Sequence, residues 1–153
     1  MKIHFVCAGN SYRSRLAEAY CKSKKIPDVD ISSSGLIAHQ NEHGPISWYA
    51  LRILSRRNLI PFMSNLPTQT TPEILQDADL VIFLGKHNYT FAKKYFTYDK
   101  QNHEVWNIAD LDQFTNSMTT IKDDVARIKV TEHTFWEIKK NIDRLMKELF
   151  PHP

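Results

Sequence analysis

Cys7 and Arg13 are separated by five residues in Cys7-Ala8-Gly9-Asn10-Ser11-Tyr12-Arg13-Ser14, a stretch that begins where an apolar strand ends. A loop between a strand end and a helix start aims several backbone N–H groups at one point. With the helix dipole behind it, such a loop binds a phosphate-like anion. A cysteine in that loop feels the same field, which stabilises its thiolate and makes it a nucleophile near neutral pH. The arginine can return a planar fork of donors to the anion's oxygens. The plainer readings are that Cys7 is a small buried hydrophobe and Arg13 a solvated helix start.

These residues need a scaffold, and strand-like and helix-like segments alternate along the whole chain. Ile3, Phe5 and Val6 supply a first strand, and residues 15–24 follow as a helix with Leu16, Ala17 and Tyr20 on one side. Residues 29–33 read as a second strand ending at Ser34-Gly35, and Trp48 to Arg57 as a helix. Thr71 and Pro72 form an N-cap and first position of a short helix reaching Gln76. Leu80 to Leu84 is a continuous apolar run, the mark of a strand buried on both faces. A helix over 86–96, a strand over 104–108, a polar loop over 110–122 and an amphipathic helix from Val125 to Leu149 complete the chain. The alternation predicts an α/β fold: a small doubly wound four-stranded parallel sheet with helices on both faces. Ligands of such sheets sit at the carboxyl ends of the strands, where Cys7, Ser34 and the loop at Asp110 all fall.

Composition narrows the partners. A chain of 153 residues suits one domain over 1–153, and 42% hydrophobic with 24% charged residues is ordinary for a globular protein. No apolar run approaches the ~20 residues that a membrane span needs. The net charge of +3 is dispersed, with Arg56-Arg57 and Lys139-Lys140 as short pairs, so no nucleic-acid stripe is expected. Seven histidines show no metal-ligand spacing. Cys7 and Cys21 form no disulfide framework, and a free reactive thiol suits a reducing cytoplasm. Cys21, four residues after Ala17 on the first helix, reads as core.

The N-terminal loop resembles the signature of the low-molecular-weight protein tyrosine phosphatases, Cys-x5-Arg-Ser with Gly and Asn inside it. Gly9, Asn10, Ser14 and Ala17-Glu18-Ala19 carry the likeness, and Ser33-Ser34-Gly35, Gly44-Pro45, Ala50, residues 71–84 and the final helix extend it loosely. The resemblance implies hydrolysis of phosphomonoesters, phosphotyrosine on proteins above all, without metal or cofactor. Cys7 would form a cysteinyl-phosphate and Arg13 would clamp the transferring group. Ala8, Gly9, Asn10, Ser11, Tyr12 and Ser14 would line the anion, with Asn10 tolerating a left-handed backbone and Ser14 donating to the thiolate. Ser34 would bond with Asn10 and brace the loop, unless it is simply a turn serine. The family's general acid is an Asp-Pro late in the chain. Asp110 fits that place, with Leu111 for the proline; Asp112 is the alternative, and both could be solvating carboxylates.

Several positions depart from the family pattern. Arg15 stands where Pro is common, as a further cation at the mouth or a solvated helix residue. Tyr12 replaces a second cysteine, so an oxidised Cys7 would lack a neighbouring thiol to trap it. Ser11 is small and polar, which keeps a phosphoarginine preference open. The His and Arg-Gln supports expected around Met63 are missing, and Gly85 replaces an Asp. His39, Gln40 and Phe114 fall near the places of slot-lining aromatics, whereas Trp48 and Tyr49 read as helix core. The chain is therefore expected to be a cytoplasmic, monomeric phosphatase of phosphorylated proteins, with weak dimerisation as the alternative and neither nucleic acid nor membrane as partner. A protein arginine phosphatase, or a phosphate-binding module with weakened catalysis, are the other functions these residues allow.

Overall fold

In the computed structural model, which describes residues 1–41, 44–111 and 120–152, four parallel strands form one sheet. They are β1 (Lys2–Cys7), β2 (Asp30–Gly35), β3 (Leu80–Phe83) and β4 (His103–Val105), in the order β2-β1-β3-β4. Between and after them lie α1 (Arg13–Ser23), α2 (Trp48–Arg56), α3 (Pro72–Asp77), α4 (Lys86–Tyr95) and α5 (Ile121–Leu149). The α/β sheet read from the sequence is thus present, with each strand near its predicted place.

Strand alternation divides the core into two layers. Ile3, Phe5 and Cys7 of β1, with Leu80 and Ile82 of β3, face α1, α2 and α5; Val6, Val81 and Phe83 face α3 and α4. Phe5, Ile82 and Phe83 are fully buried, and each such side chain contributes ~1.5–3 kcal/mol by leaving water. Helix α5 starts on a capping box, in which Thr120 accepts from the Asp123 N–H and the Asp123 carboxylate accepts from the Thr120 N–H. α3 starts on Thr71, whose hydroxyl accepts from the Ile74 N–H.

The differences from the sequence reading lie at element ends. α1 starts at Arg13 rather than Arg15, so Arg13 and Ser14 are rigid helix residues rather than loop. β2 runs on to Gly35 because Gly35 pairs with Cys7 and again with Gln69. β4 stops at Val105, and α5 begins four residues before Val125, which faces solvent. An apolar stripe marks only the part of a helix that packs; caps mark where it starts.

Candidate active site

The loop from Cys7 to Tyr12 is shaped by what holds its carbonyls. The N–H groups of Leu36 and Ile37, just past β2, donate to the carbonyls of Cys7 and Ala8 at 3.0 and 2.9 Å. Arg15 Nη1 donates to the Asn10 carbonyl at 3.1 Å, and the Ser47 N–H to the Ser11 carbonyl at 2.8 Å. In a planar trans peptide the C=O of one residue and the N–H of the next point opposite ways. Pinning these four carbonyls outward therefore turns the N–H groups of Ala8, Gly9, Ser11 and Tyr12 inward. The Asn10 N–H itself donates to Cys7 Sγ at 3.3 Å. Asn10 takes a left-handed backbone, φ 54°, which its short polar side chain tolerates.

Asn10 also orders the protons around the thiol. Its Nδ2 donates to Ser14 Oγ at 2.7 Å and Ser33 Oγ at 2.9 Å, and its Oδ1 accepts from the Thr68 N–H at 2.8 Å. Ser14 Oγ, accepting from an amide that can only donate, has its own hydrogen free for Cys7 Sγ, 2.9 Å away. A hydroxyl held in this sense favours a thiolate. The hydroxyl that meets Asn10 is Ser33, and the sequence expectation of Ser34 is corrected. Ser34 points through the opposite face of β2, to His4 Nε2 at 2.7 Å and Thr70 Oγ1 at 2.6 Å. Strand parity decides this: neighbouring residues of a strand never share a face.

Arg13, the first residue of α1 and 7% exposed, donates to the Ile108 carbonyl at 3.0 Å and to Asp110 Oδ2 at 3.2 Å. Cys7, Ser14, Arg13 and Asp110 are thus brought to one place by β1, α1 and the segment after β4. Gly85 gives the guanidinium room, since a Cβ there would lie 3.0 Å from Arg13 Nη1 and 3.2 Å from the buried, unpartnered Oδ1 of Asn88. Asp112 and Phe114 lie outside the described residues. His39 is tied to Gln69 Oε1 at 2.8 Å, and Gln40 is exposed.

Other expectations needed correction. Within the chain itself a Cβ at Gly9 would meet only Ser11 Oγ, at an ordinary 3.4 Å. At Gly35 a Cβ would lie 2.6 Å from the Ala8 carbonyl and the Asn10 nitrogen, so only glycine lets β2 lie against the loop. Arg15 is not a solvated helix residue but is 1% exposed. Trp48 is not core: it stands 58% exposed beside Tyr49, whose hydroxyl donates to Asp124. Sequence reasoning missed Ser33, Thr68 and Arg15. Ser33 was recoverable from alternation, whereas a backbone donor such as the Thr68 N–H leaves no side-chain signal.

Two side chains bear on redox behaviour. Tyr12 sends its hydroxyl to Thr131 Oγ1 of α5 at 2.9 Å, and burial raises its pKa. Cys21 is buried in the core as the sequence suggested, and burial pushes its thiol up to about 12. It lies seven residues along α1 from Ser14, roughly 10 Å by helical rise, which is out of disulfide reach of a sulfur touching Ser14.

Known proteins share this architecture and this chain's sequence pattern. A family model described as low molecular weight phosphotyrosine protein phosphatase matches residues 2–152. A protein-arginine-phosphatase of Bacillus subtilis is 30% identical over 64% of this chain and 65% of its own length. The low molecular weight protein-tyrosine-phosphatase PtpB of Staphylococcus epidermidis is 28% identical over 95% of this chain and 96% of its own. Among solved structures, a low molecular weight protein tyrosine phosphatase from T. tengcongensis superposes with a TM-score of 0.76 at 23% identity, covering 97% of this chain and 99% of that one. With the family model spanning nearly its whole length, this chain belongs to the low-molecular-weight phosphotyrosine protein phosphatase family.

Proposed function

We propose that this chain hydrolyses phosphomonoesters on phosphorylated proteins, phosphotyrosine first among them, through a phosphocysteine on Cys7. The observation that carries the reading is the Cys7 sulfur, held by the Ser14 hydroxyl and the Asn10 N–H beside Arg13. In the first step the sulfur attacks phosphorus, an S–P bond forms, and the P–O bond to the leaving group breaks. Arg13 meets the equatorial oxygens, where charge must be accommodated in the transition state. Taking up that anion releases Arg13's Nη2 from Asp110; the freed carboxylate takes a proton from solvent and passes it to the leaving oxygen. In the second step Asp110 takes a proton from water, the water attacks phosphorus, and the S–P bond breaks to regenerate the thiolate.

The domain acts alone, as a cytoplasmic monomer with a free thiol, and uses no metal or nucleic acid. Steady-state turnover of para-nitrophenyl phosphate tests the reading: folded protein that binds phosphate without turning over the ester would sink it. Cys7→Ser is expected to abolish turnover and keep anion binding. Asp110→Asn should lower kcat by on the order of 10²–10³-fold; a larger loss in Asp112→Asn would reassign the acid. Phosphoarginine is a second reading, favoured by the small polar Ser11 in the loop and the likeness to the Bacillus subtilis arginine phosphatase. Parallel assays on phosphotyrosine and phosphoarginine peptides choose between them.

A further inference from the structure

Arg15 presents a problem of charge. Its guanidinium is buried, and burial without a counter-ion is costly. Among the described residues, no carboxylate comes within ion-pair distance of it. Glu18, one turn along α1, is engaged by Lys22 at 3.6 Å and by the Ser64 hydroxyl at 2.8 Å. What meets Arg15 instead is backbone: the carbonyls of Asn10 at 3.1 Å, Pro45 at 2.8 Å, and Ser64. Its Nε is buried with no partner. Carbonyl dipoles orient a cation but leave its net charge in place; burial lowers the Arg15 pKa, and the Glu18 carboxylate opposes that shift only partly, from beyond ion-pair distance.

That charge lies beneath the anion loop, one residue beyond the serine that touches Cys7. We infer that Arg15 is a positioning residue of the anion site: it pins the Asn10 carbonyl outward, turning the Ser11 N–H toward the anion, and its charge, which no directly paired carboxylate cancels, favours the anionic forms of Cys7 and of bound phosphate. This deepens the phosphatase reading and rests on Cys7 lying in a phosphate loop. Around the thiol, the other charged groups among the described residues lie on α1 and beyond β4. Arg13 on α1 is engaged with Asp110 beyond β4, and Glu18 on α1 is held as described. The residues of β2 and β3 beside the thiol are uncharged, and His4 of β1 faces the other side of the sheet, its pKa lowered by burial to about 4.

Three variants test the inference by phosphate calorimetry and by iodoacetamide alkylation of Cys7 against pH. Cys21, pushed up to about 12, stays silent in the alkylation. Arg15→Gln should weaken phosphate binding about tenfold and move the alkylation midpoint up by about one pH unit. Arg15→Lys, which keeps the charge but not the fork, should hold the midpoint and weaken phosphate by less. Arg15→Pro is compatible with the third position of α1, because first-turn N–H groups have no helical partner, and it should match Gln. It carries the measurement if Gln does not fold. Folded Gln or Pro proteins with wild-type affinity and midpoint, changed only in Tm, would overturn the inference. A Lys variant shifted as far as Gln would also overturn it, by removing charge as the cause. Neither readout needs turnover, so loss of the hydrolase reading and loss of this one are distinguishable.

Discussion

β1 and β2 carry a polar network on each of their faces, and the two differ in what they are attached to. Toward α1, Ser33 joins Asn10, Ser14 and Cys7; toward α3, Ser32 and Ser34 join His4 and Thr70. Both are built from small hydroxyls and one larger donor, buried except at Ser32, which is exposed. The first ends on the Cys7 sulfur, the nucleophile of the proposed reaction, and on the loop whose amides turn inward. The second closes on itself, with both ring nitrogens of His4 engaged at 2.7 Å. Similar residues one position apart therefore serve chemistry on one side and cohesion on the other. The side is set by strand parity, not by residue type.

The largest test of that contrast is Asn10→Ala. It removes three side-chain hydrogen bonds and leaves a left-handed backbone to a residue that resists it, at ~1–2 kcal/mol. Turnover of para-nitrophenyl phosphate is expected to fall roughly a hundredfold, the ~2–3 kcal/mol of lost hydrogen bonding and loop shape. Asn10→Gly, which accepts the backbone, should recover part of it. A serine pair comes next. Ser33→Ala should lower kcat several-fold, up to about tenfold, with a small change in Tm. Ser34→Ala should leave kcat within about twofold and lower stability by ~1–3 kcal/mol, because it strands buried partners. If kcat falls more in Ser34→Ala, the assignment of the two faces is wrong.

The remaining test is one of pH. Burial holds the His4 imidazole at a pKa of about 4, below its ordinary 6.5. The unfolded chain therefore takes up the proton first as pH falls. The stability tied to neutral His4 is complete above pH 6.5 and is lost progressively down to about pH 4, amounting to ~3 kcal/mol. A neutral imidazole donates through one nitrogen and accepts through the other, so protonation breaks the order of this network. Urea unfolding at pH 7 and pH 4.5 should show a smaller acid loss in His4→Gln than in the wild type. Equal losses would mean that carboxylates alone carry the acid sensitivity.

Much of this was legible in the sequence, for identifiable reasons. The run Leu80 to Leu84 has one reading, a strand covered on both sides, and the structure buries all four residues of β3 completely or nearly so. The Cys7 loop was legible because an anion cradle needs particular residue types close together. Ser33 was misassigned to Ser34 because a resemblance aligns residues, whereas a face is set by counting along the strand. Arg15 was misread for a different reason. Charged side chains belong in water by default, and the three carbonyls that overrule the default come from positions 10, 45 and 64. Backbone acceptors have no residue type to announce them.

The bond from Tyr12 to Thr131 sets an order of events in synthesis. The two residues are 119 positions apart, so a ribosome makes the anion loop long before its brace. Until α5 has emerged and docked, the Tyr12 hydroxyl lacks its partner and the loop lacks one wall of its seat. A nascent chain carrying Cys7 through Arg13 thus holds its proposed nucleophile and phosphate clamp before it holds their arrangement, and before Asp110 has been made. Activity arrives with the last helix.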